Sequence, residues 1–388
     1  MNLKRITAAI LCCLLISLAL LTSAYAVPAT QDLPTPSFEL DCRSAILMEA
    51  NTGTVLYEMN ADEALPPASV TKIMTLLLVM EAIDSGRISL EDTVTASAHA
   101  CSMGGSQIYL KEGEQMSVED MLKSVVIASA NDAALALAEH IAGNESAFVE
   151  MMNKKADQLG LTSTHFENTN GLDDTVENHV TSARDIAIMS RELISHKKIL
   201  EYSSIWMDTI RNGEFGLTNT NRLVRFYKGA TGLKTGSTSK AKFCVSATAE
   251  REGMSLICVI MAAPTRDVRN AAATTLLDYG FANFALYRNS AAELEPLKVL
   301  GGVKSSCGVG YSDFCAVVKK NDISKISFDV ELDDSAAAPV RVGDKVGRIV
   351  YKLGDKTFGE GEVVARESVE KIDFRGLLLR MLAKMSFC

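Results

Sequence analysis

The hydrophobic rhythm of the chain changes several times along its length. An apolar run through Leu21 comes first, and VPATQDLPTPSF at 27–38, rich in proline and polar residues, predicts an extended leader. Two β-prone runs in SAILMEANTGTVLYEMNADE, 44–63, flank Asn51-Thr52-Gly53 and predict a hairpin. From Ser69 the spacing turns helical: IMTLLLVMEAI, then SVEDMLKSVVIASANDAALALAEHIAG over 117–143, opened by a Ser117/Asp120 cap pair and closed by Gly143. Both stretches are apolar on most faces, which marks them as core helices of a large domain. FCVSATAEREGMSLICVIMAAP, 243–264, predicts an antiparallel pair turning at Glu252-Gly253, and AAATTLLDYGF, 271–281, a closing helix. Strands on both sides of a helical middle predict an α+β domain whose sheet joins N- and C-terminal segments.

Beyond about residue 290 the runs become short and alternating, as in SFDVEL, VGRIVYKL and GEGEVVARE, with Gly/Asp turns between them. They predict a small all-β domain over 288–370, after a main domain at 39–287. The last segment, KIDFRGLLLRMLAKMSFC at 371–388, differs again. At 100° per residue, Phe374, Leu377, Leu378, Met381, Leu382 and Met385 share a face, and Lys371, Arg375, Arg380 and Lys384 lie on or flank the other. Such a basic amphipathic helix is expected to lie in a membrane interface; the plainer alternative is a terminal helix packed on its own protein.

Composition narrows the compartment and the partners. Lys4 and Arg5 precede the first apolar run and Ala24-Tyr25-Ala26 follows it, so residues 1–26 are expected to be a cleaved signal peptide and the protein to be exported. An uncleaved anchor is the alternative, because the run is near the minimum length of a span. Leu11 before Cys12 is not the small residue that lipoprotein processing wants. Removing 1–26 takes away two positive charges and moves the formal net charge from −9 to −11. An acidic surface without lysine or arginine tracts argues against nucleic acid as a partner. Seven cysteines remain, an odd and widely spaced set in which several are expected to be free thiols; Cys307 and Cys315 are the one close pair, a candidate bridge across a hairpin. There is no CxxC or HxxxH pair, so neither a metal nor another cofactor is expected.

The chemistry is concentrated at PPASVTKIM, 66–74. A serine hydroxyl is a poor nucleophile without a nearby base, and a lysine whose pKa is lowered by burial can serve. Ser69 and Lys72, three apart on a helix, share a face, and the backbone N–H of Ser69 falls among the unpaired donors of the helix start. The pattern alone is weak: Ser-x-x-Lys occurs five times here, where average composition predicts roughly one or two. Its company makes it specific. Ser129-Ala130-Asn131 is the one Ser-x-Asn in the chain and Lys234-Thr235-Gly236 the one Lys-Thr-Gly, giving the order found in serine β-lactamases and penicillin-binding proteins, with alanine at 130 in place of aspartate. Singly, Ser69 would read as a cap, Lys72 as a solvated charge, Asn131 as a turn residue and Lys234-Thr235-Gly236 as a strand end.

Around these motifs, CSMGGSQIYLKEGE, ASANDAALALAEHIAG, THFENTNGLDD, HVTSARDIA, GLKTGST and LLDYGF follow in an order that closely resembles the low-molecular-mass penicillin-binding proteins that act as serine-type D-alanyl-D-alanine carboxypeptidases. The resemblance spans nearly the whole mature chain, including the small β domain and the terminal amphipathic helix. It implies a penicillin-binding-protein-like transpeptidase fold, an antiparallel sheet with a helical cluster, and a peptidoglycan stem peptide as substrate. It implies β-lactam antibiotics as covalent inhibitors and a place on the outer face of the cytoplasmic membrane. By position it implies that Ser69 is acylated, Lys72 is the base, Ser129 relays a proton to the leaving amine, and Asn131 holds the substrate amide. Lys234, Thr235 and Gly236 would form the edge-strand side of the cleft, with Arg269 also binding the substrate carboxylate. The N–H groups of Ser69 and Ser237 would form the oxyanion hole. TNTNRL carries Thr220 where a second carboxylate-binding arginine is expected, with Arg222 two places later.

Three other functions compete with this reading. A class A β-lactamase deacylates through an E-x-x-x-N segment, but Glu167 is followed four residues on by Gly171. An endopeptidase cutting peptidoglycan crosslinks would use the same residues in a different cleft. A catalytically idle wall-binding scaffold would have no reason to hold Ser69, Lys72, Ser129, Asn131 and Lys234 together. His165 and His179 are read as framework residues, and SMGGSQIYL as either a cleft loop or a connector.

Overall fold

The computed structural model describes residues 36–174 and 176–385. The expected export signal and most of the leader lie outside the described residues. The chain divides into two compact units, 33–284 and, among the described residues, 285–385.

In the first unit, β1 (Ser44–Glu49) and β2 (Val55–Met59) form the expected hairpin. Buried Glu49 closes its turn, accepting from Asn51 Nδ2 and from the N–H and hydroxyl of Thr52. β3 (Ala230–Thr238), β4 (Lys242–Arg251) and β5 (Met254–Ala263) complete a five-stranded antiparallel sheet ordered β2-β1-β5-β4-β3. The N-terminal strand thus pairs with the C-terminal one, and the Lys234-Thr235-Gly236 strand is left at the edge. α6 (Arg266–Asn283) packs on this sheet, starting earlier than its apolar pattern suggested because Thr265 Oγ1 caps the N–H of Val268.

The helical middle surrounds α1 (Lys72–Asp84), ten of whose residues are buried. Two sequence expectations need correction. Ser69 does not open an α-helix: Ala68–Thr71 is a 3₁₀ turn that hands over to α1 at Lys72. Nor is 117–143 one helix. α2 (Val118–Ile127), capped by Ser117 on the N–H of Asp120, stops before Ser129, which takes φ +62°, and α3 (Asn131–Ala142) begins anew. A left-handed residue cannot continue a right-handed helix. The apolar pattern ran through the break because both helices bury the same kinds of side chain. α4 (Glu145–Gln158) and α5 (Ala183–Ser195) complete the cluster.

The second unit is built on a six-stranded sheet that contains Ile326–Leu332, Lys345–Leu353 and Lys356–Ala365, matching the alternating runs. Phe314 and Tyr351 stack at 3.8 Å in its core. Cys307 and Cys315 do not form a disulfide with each other, against the bridge considered above. They lie on strands of different sheets, and the Cys307 thiol donates to the carbonyls of Gly308 and Glu367. α7 (Phe374–Met385) ends the described chain, and no helix among the described residues is long and apolar enough to cross a membrane.

Gly171 locks a loop against the Ser69 turn. Its φ is +86°, and a Cβ there would lie 1.9 Å from the carbonyl oxygen of Ala68 and 2.7 Å from Thr71 Oγ1. Gly171→Ala is therefore expected to lower unfolding free energy by about 2 kcal/mol or more in urea titrations; an unchanged midpoint and slope would contradict this packing.

Candidate active site

Ser69, Ser106, Ser129, Thr220, Arg222, Thr235, Gly236, Ser237 and Arg269 are among the residues lining a cleft of about 580 Å³ in the first unit. Behind Ser69 lies the side chain of Lys72, fully buried on the first turn of α1. Nζ lies 2.9 Å from Ser69 Oγ, 2.5 Å from Asn131 Oδ1 and 2.9 Å from the carbonyl oxygen of Asn170. Burial, and then the nearby positive charge of Lys234, hold the Lys72 amine well below the usual lysine range, with Asp132 opposing the shift.

The count of hydrogens gives this arrangement its chemistry. An ammonium donates three hydrogen bonds and can engage all three oxygens. A neutral amine has two N–H donors, which the oxygens of Asn131 and Asn170 can take because neither can donate in return. The lone pair is then left for the hydroxyl of Ser69. A neutral Lys72 is thus oriented to accept the Ser69 proton.

The parts around the amine are fixed independently. Asn131 Nδ2 donates to the carbonyl of Gly104 at 2.6 Å, and its backbone N–H donates to Ser106 at 2.7 Å. SMGGSQIYL is therefore a wall of the cleft tied to the Ser-x-Asn motif. Next to it, Asp132 accepts from the N–H groups of Ile108 and Leu110, which pins the end of this segment. Asn170 sits in the loop locked by Gly171, and Asn168 Oδ1 accepts from the N–H of Gly171 at 2.7 Å. Asn170 was missed as a site residue because it acts through a backbone oxygen; the NTNG turn at 168–171 was the available signal.

Edge strand β3 closes the other side. A Cβ on Gly236 would lie 2.8 Å from the backbone nitrogens of both Ser69 and Val70, so only hydrogen fits between strand and turn. Lys234 is buried, its ammonium donates to the carbonyl of Thr235 at 2.8 Å, and burial with the charge of Arg269 brings its pKa down to about 7. Arg269 is buried too, donating to Asn270 Oδ1 and, at 3.4 Å, to the carbonyl of Cys244. Thr235 Oγ1 donates to Thr220 Oγ1 at 2.8 Å. Every residue expected from the motifs is thus in or beside one cleft.

The excluded candidates fall elsewhere. Exposed Glu167 accepts from the N–H of Asn178 and does not line the cleft. His165 pairs through its backbone with Val180. His179 is buried beneath the Ser69 turn, with Nε2 2.8 Å from Thr71 Oγ1 and Nδ1 accepting from the N–H of Glu167. Because Thr71 Oγ1 donates to Ala68, the proton of the neutral ring belongs on Nε2.

A serine beside a buried, neutralisable amine, closed in by an edge strand, defines an acyl-transfer serine hydrolase. The family model described as D-alanyl-D-alanine carboxypeptidase matches residues 29–265, and that described as the C-terminal domain of penicillin-binding protein 5 matches residues 283–371. The chain belongs to this family of low-molecular-mass penicillin-binding proteins and is a serine-type D-alanyl-D-alanine carboxypeptidase. It is 41% identical to D-alanyl-D-alanine carboxypeptidase DacF of Bacillus subtilis over 378 residues, 95% of this chain and 96% of that one. The crystal structure of penicillin-binding protein 5 from Haemophilus influenzae aligns with a TM-score of 0.76 and 33% identity, over 87% of this chain and all of that one. Penicillin-binding protein D2 from Listeria monocytogenes, solved in an ampicillin-bound form, aligns with a TM-score of 0.59 and 33% identity over 64% of this chain and all of that one.

Burial pushes the His179 imidazole down from 6.5 to about 4. Between those values the unfolded chain binds the proton and the folded one does not, so stability is complete above about 6.5 and falls as pH drops towards 4, by up to about 3 kcal/mol. Urea titrations across this window should show that loss and should show a shallower one in His179→Gln. Equal slopes in the two proteins would contradict it.

Proposed function

We propose that Ser69 is the nucleophile through which this carboxypeptidase removes the terminal D-alanine of peptidoglycan stem pentapeptides. The carrying observation is the Lys72 amine held by Asn131 and Asn170 against Ser69 Oγ. Lys72 Nζ takes the hydroxyl proton as Oγ attacks the penultimate D-alanine carbonyl, and the oxyanion is received by the N–H groups of Ser69 and Ser237. Ser129 passes a proton to the departing nitrogen, the C–N bond breaks and D-alanine leaves. Water then hydrolyses the ester in the reverse sense, returning the proton to Ser69. Asn131 holds the substrate amide as well as Lys72, and Lys234, Thr235 and Arg269 bind the terminal carboxylate. β-Lactams acylate the same serine.

The chain works outside the cytoplasm, exported by its first 26 residues, with 39–287 as the catalytic domain and 288–370 as a β domain that α7 fixes to the membrane surface. Support for that last role comes from the way α7 sits on its own unit. Arg380 donates to the carbonyls of Gly302 and Val303, whereas Phe374, Leu378, Met381 and Met385 remain 48–81% exposed. The helix touches its domain by a polar edge, so its apolar face is available to lipid.

Purified full-length protein should release D-alanine from a stem pentapeptide, and Ser69→Ala should reduce this by at least about 10³-fold. Lys72 gains a proton as pH falls, and Lys234 loses one as pH rises through about 7, so kcat/KM should fall on both sides, with its alkaline limb near 7. Lys234→Arg, which keeps its charge, should move the alkaline limb upward. Release that persists in Ser69→Ala would overturn the assignment. Deleting residues 371–388 should shift the protein from the membrane pellet to the soluble fraction; continued sedimentation would contradict the anchor.

A further inference from the structure

The Asn170 carbonyl that takes one hydrogen of Lys72 belongs to a loop, and a loop atom keeps its place only while its neighbours are held. The residue before it, Thr169, is fully buried. Its carbonyl accepts from Thr75 Oγ1 at 2.6 Å, and Thr75 stands three residues after Lys72, on the same face of α1. The N–H and the hydroxyl of Thr169 both donate to Glu145 Oε1, at 3.1 and 3.0 Å. Thr169 is therefore gripped at both of its peptide groups, by α1 through Thr75 and by the first residue of α4 through Glu145.

An acid in the first turn of a helix ordinarily only complements the helix dipole. Here the start of α4 is already capped by Asn144, whose Oδ1 accepts from the N–H of Ala147 at 2.9 Å, and the Glu145 carboxylate reaches the loop instead. Its second oxygen lies 3.7 Å from Nε2 of half-exposed His99, and a surface pairing of that kind contributes little. The two hydrogen bonds from Thr169 are thus the strong contacts of this carboxylate. Gly171 sets how near the loop comes to the Ser69 turn, and Thr169 sets where the next peptide group points.

The consequence reaches the nucleophile. Neutral Lys72 leaves its lone pair for Ser69 only while both of its N–H groups are taken, one by Asn131 and one by Asn170. If the Asn170 carbonyl moves away, one N–H is free to turn to Ser69 Oγ, which then meets a donor where it needs an acceptor. Lys234 and Asp132 are the charges that act on Lys72, so what Glu145 contributes is position.

We propose that Glu145 is a positioning residue for acylation: by accepting from both donors of Thr169 it keeps the Asn170 carbonyl on Lys72, and so keeps the lone pair of the amine on Ser69. The inference rests on Lys72 as the base, as proposed above.

The test follows acylation of detergent-solubilised full-length protein by a fluorescent penicillin, reading the rate at saturation, the half-saturating concentration and the final stoichiometry. Glu145→Ala should lower the saturating rate by about 10- to 100-fold, as expected when a reacting group is misplaced, with little change in half-saturation and with labelling still complete. D-Alanine release from a stem pentapeptide should slow in parallel. Glu145→Gln keeps an oxygen for Thr169 and should restore the rate to within about threefold of wild type, since only charge assistance is lost. Thr169→Val, which removes the hydroxyl and keeps the shape, should slow acylation several-fold and add little to Glu145→Ala, because both act through one contact. A wild-type rate in Glu145→Ala or in Thr169→Val, a loss seen only as a smaller labelled fraction, or Glu145→Gln as slow as Glu145→Ala would each overturn the positioning role. Acylation of Lys72→Arg as fast as wild type would instead overturn the reading beneath it.

Discussion

A lysine amine held out of water, without a carboxylate to hydrogen-bond it, is the constraint on which the rest of the cleft depends. Lys72 meets only neutral oxygens, from a hydroxyl, an amide and a backbone carbonyl. Lys234, a second fully buried lysine, adds a repulsive charge. Removing a cation from water without an ion-pair partner is costly, and that cost is what lowers the pKa of the amine and makes its proton easier to lose. The shift that weakens Lys72 as a charge makes it useful as a base. A carboxylate in place of Asn131 Oδ1 would steady the ammonium and spoil the chemistry.

The surroundings follow from keeping three oxygens on one nitrogen. The helix break at Ser129 frees Asn131 to begin α3 with its side chain on Lys72, and the same asparagine ties down the segment at Gly104 and Ser106. Gly171 brings the Asn170 carbonyl in close, and Gly236 lets the edge strand approach the backbone of Ser69. His179 supports the turn from below through Thr71. None of these residues is an independent ornament, because displacement of any of them moves an oxygen or a donor around the serine.

The sequence made a good part of this visible, unevenly. Lys72 on Ser69 could be anticipated from a three-residue spacing, and the three motifs in order brought the correct strands and helices to one place. The sheet's N- and C-terminal strands were readable because both are short apolar runs bounded by turns. What escaped notice was decided by backbone geometry. Ser129 is left-handed inside a continuous apolar pattern, and Ser69 stands on a 3₁₀ turn, since neither costs the pattern any hydrophobic residue. The Asn170 contact uses an atom every residue has, so side-chain chemistry could not single it out. The 307/315 cysteine pair misled for the opposite reason: nearness in sequence does not place two strands in one sheet.

The central claim is that Lys72 is neutral, or readily made so, at the pH where the enzyme works. It is tested most directly by titrating its Cε resonance in protein carrying ¹³C-labelled lysine, assigned by its disappearance in Lys72→Arg. The account predicts a midpoint well below the ordinary lysine value near 10.4, moving upward when the charge of Lys234 is removed in Lys234→Gln. Titration of Lys72 together with the exposed lysines, unmoved by that substitution, would contradict it.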